Sequence, residues 1–123
     1  MNALWAQAAA GFVAWLIATL VFRYLGQTFF WWDANYMTVF FLIAGVVLFF
    51  AMRFWLGATG VAAERRPAAA IAFVLPGMLL DAAIVSHFAI VFPNLDPDMD
   101  KVFGALMLWG YGFLLFGALW SKR

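Results

Sequence analysis

Residues 67–95 read PAAAIAFVLPGMLLDAAIVSHFAIVFPNL. No charge occurs from Pro67 to Leu80 or from Ala82 to Leu95, and Asp81 stands alone between the two runs. A helix that crosses a bilayer needs about 20 mostly apolar residues. Neither run supplies that by itself, but a segment that accepts Asp81 does, and it predicts one span over roughly 68–92. The same reading extends outward. Charges are also missing from Met1 to Phe22, from Ala34 to Met52 and from Val102 to Ser121, which predicts spans over about 4–26, 36–57 and 101–120. The continuous apolar runs lack the alternation that membrane β-strands require.

Composition agrees. The 123-residue chain is 68% hydrophobic and 11% charged, whereas soluble domains run at roughly 45–50% and 25%. A soluble domain and a disordered segment are both excluded. The absence of cysteine removes disulfides, thiolate metal sites and cysteine nucleophiles. A net charge of +1 leaves no basic surface for nucleic acid. The expected fold is therefore all-α: a single-domain integral membrane four-helix bundle, running up-down-up-down.

The connections fit this cut. Residues 26–35 combine Gly, Gln, Asp and Asn with Phe29, Phe30, Trp31 and Trp32, an aromatic cluster suited to the headgroup level. Gly57, Gly60 and Glu64-Arg65-Arg66 precede Pro67, whose missing N–H suits a helix start. Phe92-Pro93-Asn94-Leu95-Asp96-Pro97-Asp98 reads as a turn, after which Asp98 or Asp100 is placed to cap the last helix. Such short loops predict that sequential neighbours pack antiparallel. Arg53, Arg65, Arg66, Lys122 and Arg123 fall on one side, against Arg23 and Lys101 on the other, which places both termini in the cytoplasm. The start, Met1-Asn2-Ala3-Leu4-Trp5, lacks a basic n-region, so the first span is expected to be retained. Arg23-Tyr24-Leu25-Gly26 and Arg53-Phe54-Trp55-Leu56-Gly57 echo one another only with a one-residue gap, a match that chance explains.

In lipid, small residues mark helix seams. Ala6, Ala10, Ala14 and Ala18 form one stripe on the first span, and Gly110 and Gly117 share a face of the last, with Gly104 and Gly112 elsewhere. Packing inside the bundle is the expected use, and a specific oligomer interface is the alternative. The aromatic content of 20% suits interfacial belts and lipid contact, or else a surface for a flat apolar ligand.

Asp81 is the residue that most needs a reason. A carboxylate at the bilayer centre costs roughly 2.5–3.5 kcal/mol on insertion scales, so it must be protonated, paired or facing water. Gly77, one turn earlier on the same face, would let another backbone approach, and Pro76 frees the Ala72 carbonyl and favours a kink. Proton or cation exchange, ligand anchoring and plain helix–helix bonding all remain open for Asp81. Arg23 is its natural partner if it does not snorkel to the headgroups, and Asp33 competes for Arg23. His87, the one histidine, falls off the Asp81 face; it is a packing residue, a proton relay or an axial ligand. Arg53, Arg65 and Arg66 are topology determinants that contact anionic headgroups. Asp96, Asp98 and Asp100 match no full calcium-loop pattern. No metal site, cofactor or catalytic residue is assigned, because nucleophile-elbow, zinc and phosphate-loop motifs are all missing.

The stretches Leu75-Pro76-Gly77-Met78-Leu79-Leu80-Asp81, Phe92-Pro93-Asn94 and Phe103-Gly104-Ala105-Leu106-Met107-Leu108-Trp109-Gly110-Tyr111 resemble a group of small bacterial four-helix membrane proteins classed as a domain of unknown function. The resemblance runs over essentially the whole chain. It implies a bacterial inner-membrane location and a shared role for Pro76, Asp81, Pro93 and Asn94, and carries no activity. The expected function is a non-enzymatic accessory subunit that meets membrane lipids and other membrane subunits or further copies of itself. The alternatives are a homo-oligomeric transporter or channel that uses Asp81, and a binder of a lipid, quinone or pigment.

Overall fold

The computed structural model describes residues 2–120, and the described residues are all helix, turn and loop, with no strand. Four long helices dominate: α1 (Asn2–Leu25), α2 (Ala34–Ala58), α3 (Arg66–Ser86) and α5 (Asp100–Trp120), with the single-turn α4 (Phe88–Val91) between the last two. Short 3-10 turns at Gly26–Thr28, Ala63–Arg65 and Pro97–Met99 complete the connections. Four helical segments are long and apolar enough to cross a membrane. Their outer faces are apolar, with Phe54 and Ile90 each 76% exposed. The chain is a multi-pass membrane protein.

The helix ends follow local chemistry. Asp33 caps α2, its carboxylate accepting from the Tyr36 N–H at 3.1 Å. α2 stops at a Schellman-type turn: Gly60 takes φ +71°, its N–H reaches the Gly57 carbonyl, and the Val61 N–H reaches Leu56. Pro67 sits in the first turn of α3, as expected. Asp96 caps the Pro97–Met99 turn that leads into α5, its Oδ1 accepting from the Asp98 N–H at 2.9 Å, and at the start of α5 the Asp100 Oδ1 accepts from the adjacent Lys101 N–H at 2.7 Å. The α3 helix runs through Pro76 without interruption and breaks at His87, so the expected span 68–92 is two helices in series.

The chain runs up-down-up-down, but the expected packing of sequential neighbours is corrected. The main pairs are the parallel ones: α1 lies along α3, α2 lies along α5, and the antiparallel α3–α5 contact joins the two pairs. Gly11 meets Phe73, Trp15 meets Asp81 and Phe22 meets Asn94 in ascending order. Likewise Phe41 meets Trp109 and Phe49 meets Gly117. α1 and α2 do not pack along each other.

Two features of the residues explain this. The first is where glycine permits backbone contact. A methyl group at Gly11 would clash with the Phe73 carbonyl oxygen, and one at Gly117 with that of Phe49. Such close approach is what holds helices together in lipid, where apolar surface alone gives no net drive. The second is a wedge. Phe29, in the loop between α1 and α2, stands 5.4 Å from Phe22 of α1 and 5.9 Å from Phe40 of α2, ring to ring. It packs between the two helices at this end.

The core therefore divides in two. At the end that carries Asp33, Asp96, Asp98 and Asp100, a cluster of phenylalanines closes the bundle: Phe30, Phe88, Phe92 and Phe103 are buried, and Phe92 and Phe103 stand 5.1 Å apart. At the end that carries Arg53, Arg65 and Arg66, a second cluster is built on Met52, Leu56, Ala69, Ala70, Val74 and Ala118. Lys122 and Arg123, used above for orientation, lie outside the described residues.

Candidate functional site: a carboxylate at the floor of a lipid-facing cleft

Between the two clusters, the gap left by α1 and α2 is a cleft of about 600 Å³. Its walls are almost wholly apolar, and its floor is formed by α3 and α5. Ala14 and Ala18 of α1, and Val47, Ala51 and Phe54 of α2, line it and are themselves exposed. All five lie within the spans, so the mouth opens toward lipid and not toward either aqueous face. The alanine stripe of the first span was expected to be a packing seam. Its members Ala14 and Ala18 instead leave this gap, while Gly11 makes the seam with α3. Gly110 and Gly117 do pack inside the bundle, against Leu48 and Phe49 of α2.

Asp81 lies at the cleft floor, 6% exposed. One carboxylate oxygen accepts from the Trp15 indole N–H at 2.8 Å, and the other accepts from the Tyr111 hydroxyl at 2.5 Å. Three helices thus converge on one side chain. Gly77 makes the convergence possible, since a methyl there would lie 2.6 Å from the Tyr111 oxygen and 3.2 Å from the Trp15 ring. The small residue beside Asp81 admits two side chains, where the sequence suggested another backbone.

Arg23 is not the partner of Asp81. It lies more than two turns beyond Trp15, about 12 Å along the helix axis, with its guanidinium 5.9 Å from the Tyr24 ring. Asp33 does not hold it either, being engaged in the α2 cap. His87 is exposed at the break after α3, its Nδ1 3.1 Å from the Ala83 carbonyl, and takes no part in the cleft. Pro76 is half-buried directly before Gly77. Asn94 ties the α4–α5 loop to α1, donating to the Phe22 carbonyl at 3.0 Å and to the Gln27 amide oxygen at 2.7 Å. Arg53 lies over the Phe49 ring, Arg65 is exposed, and Arg66 donates to the Val61 carbonyl. The acidic loop residues are engaged locally: Asp96 also accepts from the Trp32 indole, and Asp100 pairs with Lys101 at 3.8 Å.

The sequence reading missed Trp15, Tyr111 and Gln7. Gln7 is 5% exposed and joins α1 to α2 at the basic end: it accepts from the Trp55 indole at 2.7 Å and donates toward Thr59 at 3.5 Å. The sequence signals the residue type of the first two but not their positions. A buried carboxylate needs donors, and in apolar spans Trp, Tyr, Thr, Ser, Asn and Gln carry them as well as Arg and His.

An all-helical, multi-pass membrane protein with, among the described residues, a single buried carboxylate between its helices is thus defined. The chain belongs to a family of unknown function, DUF5367, whose model matches residues 28–123. The match takes in Gly77, Asp81 and Tyr111 and leaves α1, with Trp15 and Gln7, outside it. No curated protein and no solved structure matches the chain.

Proposed function

We propose that this protein binds a lipophilic molecule that enters from the bilayer through the gap between α1 and α2. The observation that carries the reading is the cleft itself: about 600 Å³, apolar, open within the spans, with one polar anchor at its floor. Ligand pockets run at roughly 300–1,000 Å³ and pair apolar walls with a few placed polar groups. A transmembrane helix is far larger than this space, so the volume favours a small molecule over a partner helix. Nothing in the wall offers an activated nucleophile, and the reading is non-enzymatic. The excess of Arg at the α2–α3 end supports a cytoplasmic position for both termini, and the resemblance noted above supports a bacterial inner membrane.

An accessory-subunit role is the second reading. One observation favours it: α1 is held chiefly through α3, so its opposite flank is free for a partner in the bilayer. A homo-oligomeric carrier would use the same carboxylate as the binding reading. Native mass spectrometry of protein released from nanodiscs separates these readings. Binding predicts a retained small molecule in the wild type that is lost in Ala14→Trp, which places a bulky ring at the mouth of the cleft. A polypeptide partner retained equally by both would support the accessory role and count against the cleft.

A further inference from the structure

We infer that the ligand of the cleft is a lipophilic organic cation and that it exchanges with a proton on Asp81. The inference rests on the cleft-binding reading and adds the charge of the ligand. Asp81 is the one acidic group in the lining, and no basic residue lines the cleft. Around it, α1 contributes Trp15 and Thr19, α5 contributes Tyr111, and α2 across the gap contributes no titratable group. Arg53 and Arg23 are turned to the Phe49 and Tyr24 rings. An anionic ligand would meet a carboxylate with no compensating charge. A cation meets the carboxylate and also the aromatic side chains Trp15, Trp55, Phe73 and Tyr111, which line the same space and whose rings attract positive charge.

The exchange follows from the cost of charge in an apolar site. An ionised carboxylate with no counter-charge is expensive there. Two donors, Trp15 and Tyr111, stabilise the anion in part. The empty site is neutralised by a proton, and the occupied site by the cation. Binding therefore breaks the Asp81 O–H bond, leaves a carboxylate–cation pair, and passes one proton to the aqueous phase. Protons and cations compete, so affinity for the cation falls as pH falls, by roughly tenfold per pH unit where Asp81 is protonated in the empty site.

The test uses the full chain in nanodiscs, with empty nanodiscs as background, and two probes of matched shape and opposite charge, tetraphenylphosphonium and tetraphenylborate. A neutral fluorescent lipophile serves as a third probe. The expected result is saturable binding of the phosphonium, release of one proton per cation in weakly buffered solution, and weakening as pH falls. Asp81→Asn is expected to lose at least about tenfold in cation affinity, together with the proton release, while neutral-probe binding is retained. Equal binding of cation and anion, or an unchanged Asp81→Asn variant, would overturn the inference and leave cleft binding standing. Absence of saturable binding for all three probes would overturn both. Asn94→Ala, which loosens the bundle outside the cleft lining, is expected to keep cation selectivity. Loss of selectivity there would assign the effect to packing and reject the exchange.

Discussion

Gly77 and Tyr111 are matched across α3 and α5. A carbon added at Gly77 would lie 2.6 Å from the Tyr111 hydroxyl oxygen, and that hydroxyl donates to Asp81. The hydrogen bond and the glycine are thus one feature. Gly77→Ala is expected to displace the hydroxyl and cost about 1–3 kcal/mol, the range for leaving a buried polar group without its partner. Tyr111→Phe removes the same bond directly. If the two substitutions act on one contact, their costs are not additive. A double-mutant cycle by denaturant unfolding in mixed micelles should show the coupling, and strictly additive costs would refute it.

The α1–α3 seam gives a second prediction. At Gly11 the obstacle is backbone, the Phe73 carbonyl, so a side chain there cannot be accommodated by a rotamer change. Gly11→Ala is expected to destabilise by about 1–3 kcal/mol, the usual cost of overpacking. Gly112 meets nothing within 4 Å, so Gly112→Ala within α5 should be neutral or stabilising by up to about 1 kcal/mol. Equal effects at the two sites would contradict the close approach.

Gln7 gives a third. Gln7→Leu removes an acceptor from the Trp55 indole and a donor toward Thr59. Hydrogen bonds between helices in membranes average about 0.6 kcal/mol, with a maximum near 1.7, so a loss of roughly 1 kcal/mol is expected. The same variant should widen the cleft at its basic end, seen as faster hydrogen exchange in the first turns of α1. Unchanged exchange there would show that Gln7 does not hold the two helices.

Asn94 gives a fourth. Its amide bridges the loop after α4 to the Phe22 carbonyl and to Gln27. Asn94→Ala should cost about 1–2 kcal/mol and loosen the phenylalanine cluster, detectable as a shift in near-ultraviolet circular dichroism. An unaltered aromatic signal would place the stability of that end in the rings alone.

Much of this architecture is legible in the charge gaps. The span expected over 36–57 is Ala34–Ala58, and that over 101–120 is Asp100–Trp120. The break at His87 is not legible, since no proline or glycine marks it. Helix neighbours are not legible either, because loop length argues for sequential packing. The outcome turns on Phe29 standing between Phe22 and Phe40, and on which glycines face a carbonyl. Asp81 declares itself by its cost in lipid. Trp15 and Tyr111 do not, since every span is rich in aromatics and only the three-dimensional register selects these two.

The separation of α1 from α2 is the central claim, and nitroxide accessibility tests it most directly. The chain has no cysteine, so single labels at Ala14, Ala51 and Ala70 need no background removal. Ala70 is fully buried, while Ala14 and Ala51 line the mouth of the cleft. Labels at Ala14 and Ala51 should collide readily with lipid-soluble oxygen and poorly with an aqueous nickel chelate, and the Ala70 label should be shielded from both. Shielding from oxygen at Ala14 and Ala51 equal to that at Ala70 would mean that α1 and α2 close on each other, and would contradict the account.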